Sequence, residues 1–312
     1  MANNAPFPIQ PELTAITMAY RNADMIADAV LPRVSVGKQE FKYQLLTQAE
    51  TFTVPDTRVG RKGKPNEVDF TQTEQTASTQ DYGLDDPVPQ EDIDNAAGVV
   101  GQDPLGRATE GITQLVLLDR EVRVSTLVTT LATYPAANRT TLSGTSQWSD
   151  YANSNPVDAI LTALDVPLMR PNVLVMGQAV WTKVSQHPKV VQGIYGPAAT
   201  GGKVRIEQFA ALLEVDELLI GKGWYNSAKR GQTATYGRIW GKHCAMLYRD
   251  KNADTSRGAT FGLTAQWGTR VAGAIPDQMI GMRGGQRVRV GESVRELITA
   301  SDLGYFFQNA VA

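Results

Sequence analysis

The sequence predicts an α+β chain: an arm, a long polar hairpin, one long helix, a compact α/β unit and a returning C-terminal sheet. Three observations predict it. Residues 34–82 alternate with period two on both sides of a tip rich in proline, glycine and cations. Residues 103–134 carry apolar side chains at three- and four-residue steps. From residue 155 onward, short capped helical runs alternate with short apolar runs. The chain has 312 residues, enough for one large domain or two modest ones, and its 42% hydrophobic and 20% charged content is that of a folded soluble protein. A net charge of -2 excludes a globally basic nucleic-acid binder, so any such role is local.

Residues 1–33 read as an arm. The stretch "PFPIQPEL" holds three prolines, which fix φ and remove backbone donors; the more apolar "LTAITMAYRNADMIADAVLPRV" predicts a short helix ending near Pro32. The hairpin follows at 34–82. On its way out, Phe41, Tyr43 and Leu45 alternate with Lys42 and Gln44; on its return, Val68 and Phe70 alternate with Glu67, Asp69 and Thr71. Between them Pro55, Gly60, Gly63 and Pro65 stand among Arg58, Arg61, Lys62 and Lys64, and beyond them "TQTEQTASTQ" is almost wholly polar. Each arm of the hairpin, about fifteen residues, reaches roughly 50 Å when extended. A two-stranded ribbon that long and polar is not stable alone in water, and its edges invite pairing with another chain.

The acidic stretch "YGLDDPVPQEDIDNAAG" at 82–98 reads as a turn region leading to a short helix. Next comes the long helix. Asp103 is a good N-cap, Pro104 suits the first helical position, Leu105, Ala108, Ile112, Leu115 and Val122 recur at helical steps, and Pro135 closes the run. Thirty residues of helix span about 45 Å. With Asp119, Arg120, Glu121 and Arg123 in mid-run, the helix is expected on a surface with one face packed down. Residues 136–154 are turn-rich. Beyond them "NPVDAILTALDVP", "QAVWTKVSQHP" and "RIEQFAALLEV" read as helices, the second stopped by Pro188. "PNVLVMG", "DELLIGKGWYNS" and "YGRIWGKHCAMLYRD" read as strands, and "QRVRVGESVRELI" and "LGYFFQNAV" as sheet.

Little in the chain points to catalysis. There is no G-x-x-x-x-G-K-[ST] and no G-x-G-x-x-G after a strand; "GKG" at 221–223 and "GMRGG" at 281–285 fit turns. "LSGTSQ" does not fit G-x-S-x-G, and there is no H-E-x-x-H. His187, before Pro188 at a helix end, reads as a cap or a solvated residue, and His243 lies in a strand beside Cys244. Cys244 reads as a small buried hydrophobe, and as the one cysteine it can form no disulfide within the chain. The carboxylates Asp81, Asp85, Asp86, Glu91, Asp92 and Asp94 depart from calcium-loop spacing. They read as a solvated turn or as partners for cations of a neighbouring chain. The sequence predicts no catalytic, cofactor or metal site and no membrane span, and the chain is not expected to be an enzyme. For the tip cations three readings stand: a solvated loop, pairing with acidic residues of another subunit, or nucleic-acid contact. No aromatic is interleaved among them, which leaves stacking on single strands unsupported.

The order of parts, together with "YRNADMIADAVLPRVSVGKQEFKYQ" at 20–44, "DYGLDDPVPQEDIDNA" at 81–96, "LLDREVRVSTL" at 117–127 and "PNVLVMGQAVWTKVSQHPKV" at 171–190, resembles the major capsid proteins of tailed bacteriophages with the Hong Kong 97-type fold. The resemblance covers nearly the whole chain. It implies an N-arm at 1–33, an extended E-loop at 34–82, a peripheral domain at 83–154 with its spine helix at 103–134, an axial domain at 155–265 and a return to the peripheral domain at 266–312.

It also implies a homo-oligomer of hexamers and pentamers that closes into an icosahedral shell around double-stranded DNA, assembled in the bacterial host cytoplasm and found in the virion. A separate scaffolding protein, a portal, decoration or minor capsid proteins, and non-specific contact with the packaged DNA are the implied partners. The E-loop would reach over a neighbouring subunit, with Arg58, Arg61, Lys62 and Lys64 meeting Glu292 and Glu296, or Asp85, Asp86, Glu91 and Asp92 of the acidic stretch. Some relatives cross-link this loop covalently; Lys62 or Lys64 would supply the lysine and Asn309 the acceptor. Two further readings are an encapsulin-like compartment shell of related fold and an α/β enzyme with a dimerisation hairpin. An enzyme would gather titratable groups in one pocket.

Overall fold

The computed structural model describes residues 7–20, 22–45, 53–68, 73–97, 99, 102–199, 201–229, 231–255 and 258–312. In chain order the strands are β1 (Arg33–Val36), β2 (Glu40–Leu45), β3 (Thr73–Ser78), β4 (Gln80–Pro89), β5 (Arg139–Thr141), β6 (Val173–Gly177), β7 (Glu217–Gly221), β8 (Trp224–Asn226), β9 (Tyr236–Arg238), β10 (Cys244–Leu247), β11 (Gly262–Asp277), β12 (Gly285–Ile298) and β13 (Gly304–Gln308). They form a four-stranded sheet of order β1-β11-β12-β4, a five-stranded sheet of order β5-β13-β10-β6-β7, and two separate ribbons, β2-β3 and β8-β9.

The four-stranded sheet carries the long helix. In β12, Val288, Val290, Glu292 and Val294 are buried while their neighbours in sequence are less so, the period of two that puts one face inward. Val288 and Val290, with Ala272 and Ala274 of β11 and Val88 of β4, meet Ala108, Ile112 and Val116 of the helix Pro104–Val128. Leu13 of the arm helix Pro11–Ala19 closes this core. The arm is tied to β11 by the Gln10 N–H on Ala272 O at 3.0 Å. The long helix begins as expected, with Asp103 accepting the Gly106 N–H at 3.0 Å.

The five-stranded sheet is covered on both faces. The helices Pro156–Leu164, Gln178–Val184, Pro188–Tyr195 and Ile206–Leu213 pack one face. Val124 and Val128 of the long helix, with Ala27–Leu31 of the arm, pack the other. This explains why β6 is apolar without alternation: all of its residues are buried. The sheet takes β5 from before residue 155 and β13 from after residue 266, while β11 begins in the other sheet at Gly262.

Three expectations are corrected. The acidic stretch is not a turn: residues 80–89 are β4, laid antiparallel along β12 from Gly285↔Pro89 to Val294↔Gln80, and only Gln90–Ala96 is helical. Its carboxylates and prolines suit an edge strand, where they blunt pairing with other chains. The return strand of the hairpin is the polar run β3, paired with β2 from Glu40↔Ser78 to Leu45↔Thr73; Val68 lies outside it, and Phe70 lies outside the described residues. The long helix stops at Val128, short of Pro135. There Tyr134 Oη donates to Val128 O at 2.9 Å, Thr133 Oγ1 to Leu127 O at 2.7 Å and Arg139 Nη1 to Leu131 O at 2.7 Å, so side chains take up the carbonyls left free at the helix end and beyond.

Candidate subunit-assembly site

The hairpin has an anchored base and an exposed tip. Phe41, Tyr43 and Ala77 lean on Val36, Leu263, Ala265 and Leu297 of the four-stranded sheet, and Gln44 N–H donates to Thr255 O at 3.2 Å. From 53 to 68 every residue is exposed, Val54 to 91%. The tip has local order of its own. Gly63 N–H donates to Gly60 O at 2.8 Å, Arg58 N–H to Asp56 Oδ1 at 2.9 Å and Asn66 Nδ2 to Asp56 O at 2.8 Å. Lys64 pairs with Glu67 three residues on. Among the described residues, Arg58, Arg61 and Lys62 have no ion-pair partner.

The acidic candidates divide. Asp85 accepts from Arg289 Nε and Nη2, both at 2.7 Å, and these bonds hold its carboxyl below the usual range. Glu91 stands 3.8 Å from Arg283. Asp86 and Asp92 are exposed without an ion-pair partner among the described residues. Glu292 is a correction. Its side chain is fully buried and accepts from Arg33 Nη1 at 2.7 Å and Arg270 Nη2 at 3.1 Å. Burial works against its charge, but Arg33 and Arg270 outweigh it and hold the carboxyl below its ordinary range. Glu292 shares the parity of Val290 and Val294, so the strand itself turns it inward. Glu296, with a side chain only 9% exposed, is held by Arg123 Nη2 at 3.0 Å. Both carboxylates are turned into their own subunit.

Two buried polar centres join the arm to the body, and sequence reasoning missed both. Arg120, 1% exposed, pairs with Asp28 and donates to Thr264 Oγ1 at 3.1 Å; its Nε stands 4.0 Å from Glu296 Oε1 and has no hydrogen-bond partner among the described residues. With Arg33, Arg270 and Leu117 it lines an open cleft of about 680 Å³ between arm, helix and β11. Glu121, fully buried, accepts the Ile26 N–H at 2.9 Å, the Ala27 N–H at 2.7 Å and the Trp240 Nε1–H at 2.6 Å. Burial raises its pKa, although these donors pull the other way. One carboxylate thus caps the short helix Ala27–Val30 and ties it to the long helix and to Trp240. The signal was present: Ile112, Val116, Arg120, Val124 and Val128 form one i, i+4 stripe, and Glu121 adjoins it.

The histidines serve the fold. His187 is fully buried, its Nδ1 accepts the Lys189 N–H at 3.2 Å as the cap of the helix Pro188–Tyr195, and its Nε2 meets Ser154 Oγ at 3.1 Å. Burial lowers its pKa to about 4, so the ring is neutral near pH 7. Cys244 is fully buried, and burial pushes its thiol far up. Asn309, exposed at the end of β13 with φ 55°, donates its N–H to His243 Nδ1 at 3.3 Å. Among the described residues no group of three or more His, Cys, Asp and Glu is placed to hold a metal ion.

No family profile matches the chain. It is 56% identical over 310 residues to the major capsid protein of Pseudomonas phage JBD67, covering 99% of each chain. The chain belongs to the phage major capsid proteins. This capsid protein is also 24% identical to the major capsid protein of Burkholderia phage BcepMu, over 95% of each chain. In fold it matches a crystal structure of a phage-related protein from Bordetella bronchiseptica RB50 with a TM-score of 0.76 at 21% identity, covering 98% of this chain and 99% of that one. The architecture is the Hong Kong 97-type capsid fold.

Proposed function

We propose that this subunit forms hexamers and pentamers that close into an icosahedral shell around double-stranded DNA, and that its extended loop lies on a neighbouring copy. The observation that carries this is the contrast along one hairpin. The base rests on its own sheet, while all residues from 53 to 68 face solvent, Val54, Val59 and Val68 among them. A loop with no interior of its own gains stability only against another surface. The arm 1–33, the four-stranded sheet with its spine, and the five-stranded unit then take the N-arm, peripheral and axial roles.

Arg58, Arg61 and Lys62, with Lys64 when released from Glu67, meet carboxylates of the adjacent subunit. Asp86 and Asp92 are the candidates without an ion-pair partner among the described residues, with Asp85 and Glu91 reached only by exchange with Arg289 and Arg283. Each exposed pair contributes about 0–1 kcal/mol, and salt weakens it. Repetition over a closed lattice makes such contacts sufficient, while their individual weakness lets misplaced subunits leave. A separate scaffolding protein, a portal, decoration or minor capsid proteins and assembly in the host cytoplasm belong to the same reading. So does an amide bond from Nζ of Lys62 or Lys64 to the side-chain carbonyl carbon of Asn309 of a neighbour, formed as the C–N bond of the Asn309 amide breaks and its nitrogen leaves as ammonia. Near full-length relatedness to a phage coat protein favours the viral shell over a cellular compartment.

The test is electron microscopy of purified protein with Arg58, Arg61, Lys62 and Lys64 all changed to alanine. The expected result is a folded subunit with fewer or salt-fragile particles. Parental particle yield and salt resistance would remove the tip from the assembly contact.

A further inference from the structure

The aromatic-and-cation pattern absent from the loop tip is present elsewhere. Between Glu217 and Asp250 the chain has no carboxylate, yet it carries Lys222, Lys229, Arg230, Arg238, Lys242 and Arg249. Arg249 is used internally, pairing with Glu217 and donating to Ala29 O. The middle of this span is the ribbon β8-β9, paired as Trp224↔Arg238, Tyr225↔Gly237 and Asn226↔Tyr236 and joined to neither large sheet. Its alternation puts Trp224, Tyr236 and Arg238 on one face. Trp224 is 52% exposed and Tyr236 69% exposed, while Lys222 and Lys229 are exposed beside them.

The face is organised in advance. The Arg238 guanidinium lies over the Trp224 ring at 4.0 Å, and its Nη1 donates to Lys222 O at 2.7 Å. Asn226 Oδ1 accepts the Ala228 N–H at 3.1 Å and the Thr235 N–H at 2.9 Å, which fixes the turn. At the root, Ile239 N–H donates to Gly223 O at 3.1 Å and Trp240 is buried in the core. Also at the root, the backbone carbonyl of Asp24 stands 3.7 Å from where a Cβ on Gly223 would be.

We propose that the β8-β9 ribbon is a sequence-independent nucleic-acid contact, in which Trp224 and Tyr236 stack on bases or pack on sugars while Lys222, Lys229 and Arg238 meet phosphates. This rests on the reading of the chain as the subunit of a DNA-enclosing shell. Exposed Trp, Tyr and Arg also mark contacts between proteins. The carboxylate-free span is what favours a polyanion, because it removes the repulsion that mixed charge would impose on a phosphate backbone.

The experiment is hydroxyl-radical footprinting of Trp224 and Tyr236 in five samples: free subunit, subunit with oligo(dT), subunit with a duplex fragment, empty particles, and DNA-filled particles. Protection is expected with DNA and in filled particles, and not in empty ones. Stronger protection by oligo(dT) assigns stacking, and equal protection assigns backbone contact. Titration of oligo(dT) on the free subunit should weaken about 20-fold from roughly 50 to 200 mM salt, as three phosphate contacts on a single strand require. Trp224→Ala should weaken it about tenfold more, and Lys222→Ala with Lys229→Ala should flatten the salt dependence. Protection already complete in empty particles would make the ribbon a contact between copies and overturn the proposal. So would an oligo(dT) affinity that Trp224→Ala leaves unchanged. If no particle forms at all, the shell reading fails, while the titration on the free subunit still decides the ribbon.

Discussion

Replacing Glu121 tests how the arm is held. Three buried donors converge on its carboxylate: Ile26 N–H, Ala27 N–H and Trp240 Nε1–H. Glu121→Ala leaves all three without an acceptor in a site that water does not reach. An orphaned buried donor costs about 1–3 kcal/mol, so the gross loss is about 3–9 kcal/mol. Removing a carboxylate that burial already disfavours offsets part of it, and a net loss of about 3–5 kcal/mol is expected. Glu121→Gln keeps one oxygen, enough for the two donors that share Oε1, but sets an amide nitrogen against the Ala27 N–H. One orphan costs about 1–3 kcal/mol. Urea unfolding of the unassembled subunit should therefore rank parent above Gln above Ala. Amide exchange should rise first at Ile26 and Ala27 while Leu174 and Val175 in the five-stranded sheet stay protected, because the arm detaches before the core opens. If both variants stayed within about 0.5 kcal/mol of the parent, with unchanged exchange at 26 and 27, the carboxylate would not be what fastens the arm.

Other outcomes follow from the same contacts. Glu292, held below its ordinary range by Arg33 and Arg270, contributes stability above the unfolded carboxylate value that is lost as pH falls through its folded value. Glu292→Gln should lower neutral stability and flatten the acid limb of a stability-against-pH curve. His187, lowered to about 4, contributes stability above its unfolded value near 6.5 that is lost as pH falls towards 4; His187→Asn, which can still cap, should remove that part of the slope in thermal melts from pH 7 to 4. Gly221→Ala puts a Cβ into the Trp240 ring and should cost about 1–3 kcal/mol by urea unfolding.

The long helix, the apolar strand at 173–177 and the capped helices were legible because each satisfies one local rule: a proline-started stripe, an unbroken apolar run, a breaker at a boundary. The acidic strand was not. "QDYGLDDPVP" has the composition of a turn and is extended only because β12 offers it a partner far along the chain, with Arg289 opposite Asp85 and 204 residues beyond it. The polar return strand β3 fails the period rule because, among its described residues, Ala77 alone packs toward the four-stranded sheet, which leaves the strand no apolar face to display. At the candidate site, the free cations of the tip were readable from composition. The inward turn of Glu292 was readable in principle from its parity with Val290, but the charge of "RVGESVRE" outweighed its pattern. Glu121 was hidden by distance, because its partners lie about a hundred residues to either side in the arm and before β10.

The most direct measurement is a cryo-electron-microscopy map of the assembled particle, read at residues 53–68. The account predicts density for this tip on the surface of an adjacent subunit, with Arg58, Arg61 and Lys62 facing carboxylates there. A tip lying against its own subunit, or a protein that stays monomeric at high concentration, would contradict it.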